Sequence, residues 1–131
     1  MAKKQPLGDP IIINGRQLSL SRAMQAGDYI FCTGQVPMKE GKIVTTGSIE
    51  EQTRLVIQDI RNTLSLANCS LDDVVKSMVW LKDKNDFPGF NEVYSEYFKN
   101  DPPARSAVVN QLLVDVRVEI EVIAYKPQII S

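Results

Sequence analysis

Val116-Arg117-Val118-Glu119-Ile120-Glu121-Val122-Ile123-Ala124-Tyr125 alternates without a break. Val116, Val118, Ile120, Val122 and Ala124 fall on one face, and Arg117, Glu119, Glu121, Ile123 and Tyr125 on the other. Period-two patterning over this length marks a strand with one buried face. That apolar face needs a layer to pack against, and two upstream segments have the helical spacing to supply it. Ser48-Ile49-Glu50-Glu51 is a capping box opening the first helix. Val56, Ile60, Leu64 and Ala67 form its inner stripe, Arg54, Gln58 and Arg61 face outward, and Asn68 stops it. The second helix starts near Asp86, a candidate cap, with Pro88 in its first turn. Phe90, Val93, Tyr94, Tyr97 and Phe98 make an aromatic-rich stripe, which reads as core and not as a stacking platform for bases.

The remaining β-formers fall into place around these helices. Ile11 to Ile13 and Arg16 to Leu20 flank Asn14-Gly15, the pair that a tight type I′ hairpin turn demands. Asp28 to Gly34 reads as a third strand, Glu40-Gly41 as a turn, Val74 to Lys82 as a fourth strand and Ala104 to Val109 as a fifth. The order β-β-β-α-β-α-β-β gives an α+β domain with two helices on one face of a mixed sheet. Two helices screen one side only, so the other sheet face is expected to pack against another subunit.

With 131 residues the chain is a single domain, 1–131, in which residues 1–10 read as a loose N-terminal segment. Fifteen basic against sixteen acidic residues leave a net charge of −1, with no basic surplus for a nucleic-acid backbone. The chain has no histidine, which removes Ser–His–Asp and Cys–His nucleophiles and every His-containing metal site. Cys32 and Cys69 are too far apart for a C-x-x-C motif and read as buried free thiols of a reducing compartment. Neither G-x-x-x-x-G-K nor G-x-G-x-x-G occurs. No apolar run approaches a membrane span or a signal-peptide core, so a soluble cytoplasmic protein without membrane contact is expected.

Chemistry is therefore left to arginine, lysine, carboxylates, hydroxyls, backbone and water. Arg105 lies early in its strand, sharing a face with Ala107 and Val109. If that strand pairs antiparallel with the last one, Arg105 comes near Glu119 or Glu121. Two readings stand side by side: a structural ion pair on a sheet face, or a planar fork that grips a substrate carboxylate. Gly34 likewise either ends a strand or lets a ligand approach the backbone.

Several stretches resemble one family. Pro103-Ala104-Arg105-Ser106-Ala107-Val108, followed by Val118-Glu119-Ile120-Glu121-Val122-Ile123-Ala124, is similar to the signature region of the RidA (YjgF-type) reactive-intermediate deaminases. Ala26-Gly27-Asp28, Thr33-Gly34-Gln35-Val36-Pro37, Glu51-Gln52-Thr53-Arg54, Leu71 to Lys76, Asn85-Asp86-Phe87 and Asn91 to Tyr94 also fit, in the family's order. The resemblance implies a chorismate-mutase-like fold assembled as a homotrimer with ligand clefts between subunits. It implies hydrolysis of 2-imino and enamine acids, such as 2-aminoacrylate, 2-iminopropanoate and 2-iminobutanoate, to 2-oxo acids and ammonia, without a cofactor or metal. By the same resemblance Arg105 binds the substrate carboxylate and Glu119 positions the water and moves protons, while Gly34, Asn91 and the backbone at Ala107 line the cleft. Glu119 would need a raised pKa for this, and a nearby Arg105 would oppose the rise.

Two positions depart from the family's pattern. Ser19-Leu20-Ser21 stands where a Pro-Tyr-Ser segment is common, and Leu112-Leu113 where Leu-Pro is usual. Leu20 lines the same wall without a phenol and makes it apolar. That motivates two alternatives, a deaminase of a larger, aminomuconate-like enamine or a carboxylate-binding regulator without turnover. Ribonuclease or translation-inhibitor activity, attributed to some relatives, is opposed by the net charge and the missing histidine.

Overall fold

The computed structural model describes residues 3–126. Six strands form the main sheet: β1 (Gln5–Leu7), β4 (Ala23–Ala26), β5 (Tyr29–Cys32), β8 (Val74–Leu81), β9 (Ala104–Val109) and β10 (Val118–Tyr125). They lie in the order β1-β4-β5-β10-β8-β9. The β8–β9 pair is parallel and the others antiparallel, so the sheet is mixed. Two short hairpins stand apart from it, β2 (Ile12–Ile13) with β3 (Arg16–Gln17) and β6 (Met38–Lys39) with β7 (Lys42–Ile43). Helices α1 (Ile49–Ser65) and α2 (Phe87–Tyr97) cover one sheet face.

The expected Asn14-Gly15 turn is present, with φ of 53° and 75° at its two residues. Its hairpin does not join the main sheet, however; Ala23–Ala26, which the sequence reading missed, and Gln5–Leu7 occupy those places. The 1–10 segment is therefore not wholly loose. Pro6 lies in β1, an edge strand, where a missing N–H costs least; residues 1 and 2 are outside the described residues.

Helix α1 carries its capping box as read: the Ser48 hydroxyl accepts from the Glu51 N–H at 3.1 Å, and the Glu51 carboxylate from the Ser48 N–H at 3.4 Å. Asn68, at φ 57°, turns the chain out of the helix, and the Cys69 N–H closes back on the Leu64 carbonyl at 3.0 Å. At α2 the reading needs correction. Asp86 sits at the N-cap, but its side chain caps nothing there; it accepts the Arg117 guanidinium at 3.1 Å instead. A single helical turn, Lys84–Asp86, precedes α2 and is capped by Asp83.

Val56, Ile57, Ile60 and Leu64 of α1 and Phe90, Val93 and Tyr94 of α2 pack on Val79, Leu81, Val118, Ile120, Val122 and Ala124, all buried. Gln52, also buried, fastens the layers together. Its amide donates to the Thr46 carbonyl at 3.0 Å and accepts from the Arg117 N–H at 2.8 Å. Both cysteines are free and buried, and burial pushes the Cys32 thiol up to about 12. Among the described residues nothing covers the sheet face away from the helices. Tyr29, Phe31 and Tyr125 cluster there, Tyr29 and Phe31 each 45% exposed, with the Tyr29 and Tyr125 rings 5.4 Å apart.

Candidate active site

The topology decides which candidate residues meet. Strand β9 does not pair with β10; it crosses over through α2 and runs parallel beside β8, with Arg105 opposite Ser77. Ser77 is opposite Val122 on the other side, and both are buried beneath the helices. Arg105 therefore shares the helix side of the sheet. Glu119 is opposite Trp80 and Glu121 opposite Met78, on the uncovered side. The expected neighbourhood of Arg105 with Glu119 or Glu121 in one chain is thus corrected: the sheet lies between them. Proximity failed because a βαβ crossover, set by long-range packing, chose the neighbour of β9.

On the uncovered side, Glu119 lies against Gly34. Gln35 and Ile120 exchange backbone hydrogen bonds at 2.8 and 3.0 Å, which brings the Gly34 backbone to the neighbouring Glu119. A Cβ at Gly34 would collide with the Glu119 carboxylate, so the absence of a side chain is what admits that carboxylate. Thr33 fixes the next segment: its N–H donates to the Arg22 carbonyl at 3.0 Å and its hydroxyl to that of Ser21 at 2.5 Å. Leu20, 40% exposed, precedes this anchored Ser21 in the chain. Burial raises the Glu119 pKa above its ordinary value, and the like charge of Glu121 adds to the rise. The anticipated opposition from Arg105 is missing inside one chain because the two are on different faces.

On the helix side, Arg105 is half-buried against α2. Its guanidinium carbon is 5.6 Å from the ring centres of Phe87 and Phe90 and 4.8 Å from that of Tyr94. Asn91 is one helical turn from both Phe87 and Tyr94 and is partly exposed. Ala107 lies two residues along β9 on the face of Arg105, and is exposed. Among the described residues no carboxylate lies within ion-pair distance of Arg105. The candidates thus fall into two half-sites: Arg105, Asn91 and Ala107 on the helix side, and Glu119 and Gly34 on the other; Leu20 lies outside the sheet strands, one residue before the Ser21 that Thr33 anchors. The aromatic setting of Arg105 was missed, although Phe87 stands three residues before Phe90, at the head of the stripe assigned to the core.

Three clefts on the single chain lie elsewhere. One, of about 470 Å³, is lined by Lys82, Lys84, Asp86 and Arg117; one of about 510 Å³ by Asn110 to Asp115; and one of about 340 Å³ by Arg22, Lys39, Gln58 and Asp59. Neither Arg105 nor Glu119 lines any of these three. Among the described residues no group of three or more His, Cys, Asp or Glu side chains is placed to hold a metal ion. No helix among them is long and apolar enough to cross a membrane.

A two-helix layer on a mixed sheet, with an arginine unpaired among the described residues and a glycine-backed carboxylate, defines a class of small α+β domain. Residues 16–126 match the family model described as Endoribonuclease L-PSP, and the chain belongs to that family, the YjgF/RidA superfamily. A RutC family protein of Pyrococcus horikoshii is 51% identical over 109 residues, covering 81% of this chain and 86% of that protein. The mitochondrial protein MMF1 of Saccharomyces cerevisiae is 41% identical over 107 residues, covering 81% and 74%. The crystal structure of Escherichia coli TdcF with bound serine superposes with a TM-score of 0.82 at 29% identity, covering 94% of this chain and 99% of that one.

Proposed function

We propose that this protein is a cofactor-independent deaminase that hydrolyses 2-imino and enamine acids to 2-oxo acids and ammonia, working as a homotrimer. The observation that carries this reading is Arg105: half-buried, without a carboxylate partner among the described residues, yet packed against aromatic rings. A partly desolvated guanidinium costs free energy unless an anion meets it, and its planar fork suits a carboxylate. The serine bound to TdcF, an amino acid with such a carboxylate, supports a small-molecule ligand of this kind. Since Glu119 is on the other sheet face, one working site takes Arg105 from one copy and Glu119 from the next. The uncovered, aromatic sheet face supports that assembly.

In the composite cleft Arg105 anchors the carboxylate and sets the C2 imine carbon beside a water held by Glu119. The water oxygen bonds to C2, its proton passes to the Glu119 carboxylate, and the imine electron pair moves to nitrogen. Glu119 then delivers the proton to that nitrogen. The same carboxylate takes the hydroxyl proton of the resulting carbinolamine and passes it to the amino nitrogen. As the C–N bond breaks its electron pair leaves with nitrogen, the oxygen pair closes the C2 carbonyl, and the products are ammonia and the 2-oxo acid. A carboxyl whose pKa is raised by burial is suited to carry a proton both ways near neutral pH.

The exposed, apolar Leu20, next to the Ser21 that Thr33 anchors, favours a second reading, in which the substrate is a larger enamine. RNA cleavage, which the family model's description names, finds little support in a chain with net charge −1 and no histidine. Two free, buried thiols fit a reducing compartment such as the cytoplasm, although MMF1 is named as mitochondrial.

The test is a coupled assay in which a pyridoxal-phosphate threonine dehydratase generates 2-iminobutanoate and its decay is followed. Wild type should accelerate the decay, while Arg105→Ala and Glu119→Gln should not. No acceleration by wild type would remove small imines from the reading. Light scattering should give about three times the 14.7 kDa chain mass.

A further inference from the structure

The arginine of the proposed site is not a free edge-strand side chain. Left alone, an arginine on an outer strand samples many rotamers, and ordering it on binding costs side-chain entropy. Here α2 places Phe87, Phe90, Tyr94 and Phe98 in a continuous ladder. Phe87 and Phe90 are nearly parallel, 11° apart with centres separated by 6.4 Å; Phe90 and Tyr94 are 5.3 Å apart, and Tyr94 and Phe98 4.4 Å. Phe90, Tyr94 and Phe98 are buried in the core, whereas Phe87, 38% exposed, is the outermost rung. The Arg105 guanidinium lies across the first three rungs. With its central carbon over these rings, the guanidinium keeps its N–H groups as the part able to bind.

We propose that this ladder is a positioning platform for Arg105, and that Phe87 is the positioning residue that governs carboxylate affinity without touching the reacting atoms. The proposal rests on Arg105 being the carboxylate anchor of the deaminase reading. Phe90 and Tyr94 also hold the core, so their loss would confound folding with function; Phe87 is at the surface and can be changed alone. A stacked cation in a partly desolvated place corresponds to about a three- to thirty-fold effect on binding.

Two readouts on the intact protein test it. In the ligand-free protein, the Arg105 Nε–Hε resonance, assigned by its loss in Arg105→Lys, should be displaced upfield by ring currents. It should return toward the ordinary arginine position in Phe87→Leu. Calorimetry with 2-oxobutanoate should then show affinity reduced about fivefold in Phe87→Leu and restored in Phe87→Tyr, with unchanged melting temperatures. In turnover the same loss should appear in KM, with kcat little altered. An ordinary Hε position in wild type, or unchanged affinity in Phe87→Leu, overturns the platform and leaves the deaminase reading standing. Arg105-dependent binding of 2-oxobutanoate without imine hydrolysis overturns the deaminase reading and leaves the platform standing. No binding by wild type overturns both.

Discussion

The two faces of the main sheet are built from alternate residues of the same strands and do different things. Along β10, Val118, Ile120, Val122 and Ala124 are sealed under the helices, while Glu119 and Glu121 between them face outward. The covered face is almost entirely aliphatic, closed by α1 and α2, and holds the fold together. The uncovered face mixes carboxylates with Tyr29, Phe31, Trp80 and Tyr125. Such a mixture is a poor core and a good interface, because aromatic rings supply buried area while charged groups fix orientation. One strand thus serves stability with its even-numbered residues and the proposed chemistry with its odd-numbered ones.

The widest separation between the faces should appear in a pair of substitutions. Ile120→Ala empties a fully buried site and should cost about 2–5 kcal/mol, read from urea denaturation. Phe31→Glu, on the uncovered face, should leave the far-UV circular dichroism intact and reduce the light-scattering mass toward that of one chain. If Phe31→Glu unfolds the protein as Ile120→Ala does at matched concentration, the two faces are not separable and assembly is part of folding.

Gly34→Ala sharpens the comparison at the junction of β10 with the Gly34 loop. The added methyl group meets the end of a flexible carboxylate and not backbone, so the fold should tolerate it. Glu119 must then swing aside. A displacement of about 1 Å in a proton-carrying group is worth roughly a hundredfold in rate. We expect imine hydrolysis to fall by about that factor with the melting temperature nearly unchanged; equal losses in both would mean that Gly34 serves the fold. Leu20→Tyr should act more gently. If a phenol there helps hold a small substrate, one hydrogen bond corresponds to at most about a tenfold gain in kcat/KM for 2-iminobutanoate. A loss on a larger enamine with that gain would assign Leu20 to substrate size.

How much of this was legible in the sequence follows from the range of the forces involved. The β10 alternation, the Ser48 capping box, the Asn14-Gly15 turn and the α1 stripe are local patterns, and all appear in the fold as read. The neighbour of β9 is not local. Nothing within Ala104–Val109 says whether it pairs with β8 or β10, and that choice decides whether Arg105 and Glu119 share a face. Ala23–Ala26 was missed for a related reason: Met24 and Gln25 give a half-buried strand with no strong β-former, made a strand by pairing with β1 and β5. Phe90 and Tyr94 were correctly read as core, yet buried rings also serve as a surface for a cation packed against them, which periodicity does not report.

The smallest expected effect is on stability and follows from the sign of the Glu119 shift. Burial, and then the charge of Glu121, raise the pKa of Glu119 above its ordinary 4.5. Between that value and the raised one, the folded chain keeps a proton that the unfolded chain has released. The folded state therefore binds more protons in this window, and stability falls as pH rises through it. The contribution is fully present below pH 4.5 and lost above the raised value. Glu119→Gln cannot ionise and escapes the loss. Urea midpoints of wild type and variant should therefore lie closest at about pH 4 and separate toward about pH 7, with the variant gaining on wild type. Because the like-charge part of the shift is screened by salt, the separation should narrow at high ionic strength, while the part due to burial persists. A separation that salt abolishes would assign the shift to Glu121 alone. One that grows toward acid pH would mean that Glu119 is stabilised as the anion, as expected if a cation from a neighbouring copy reached it.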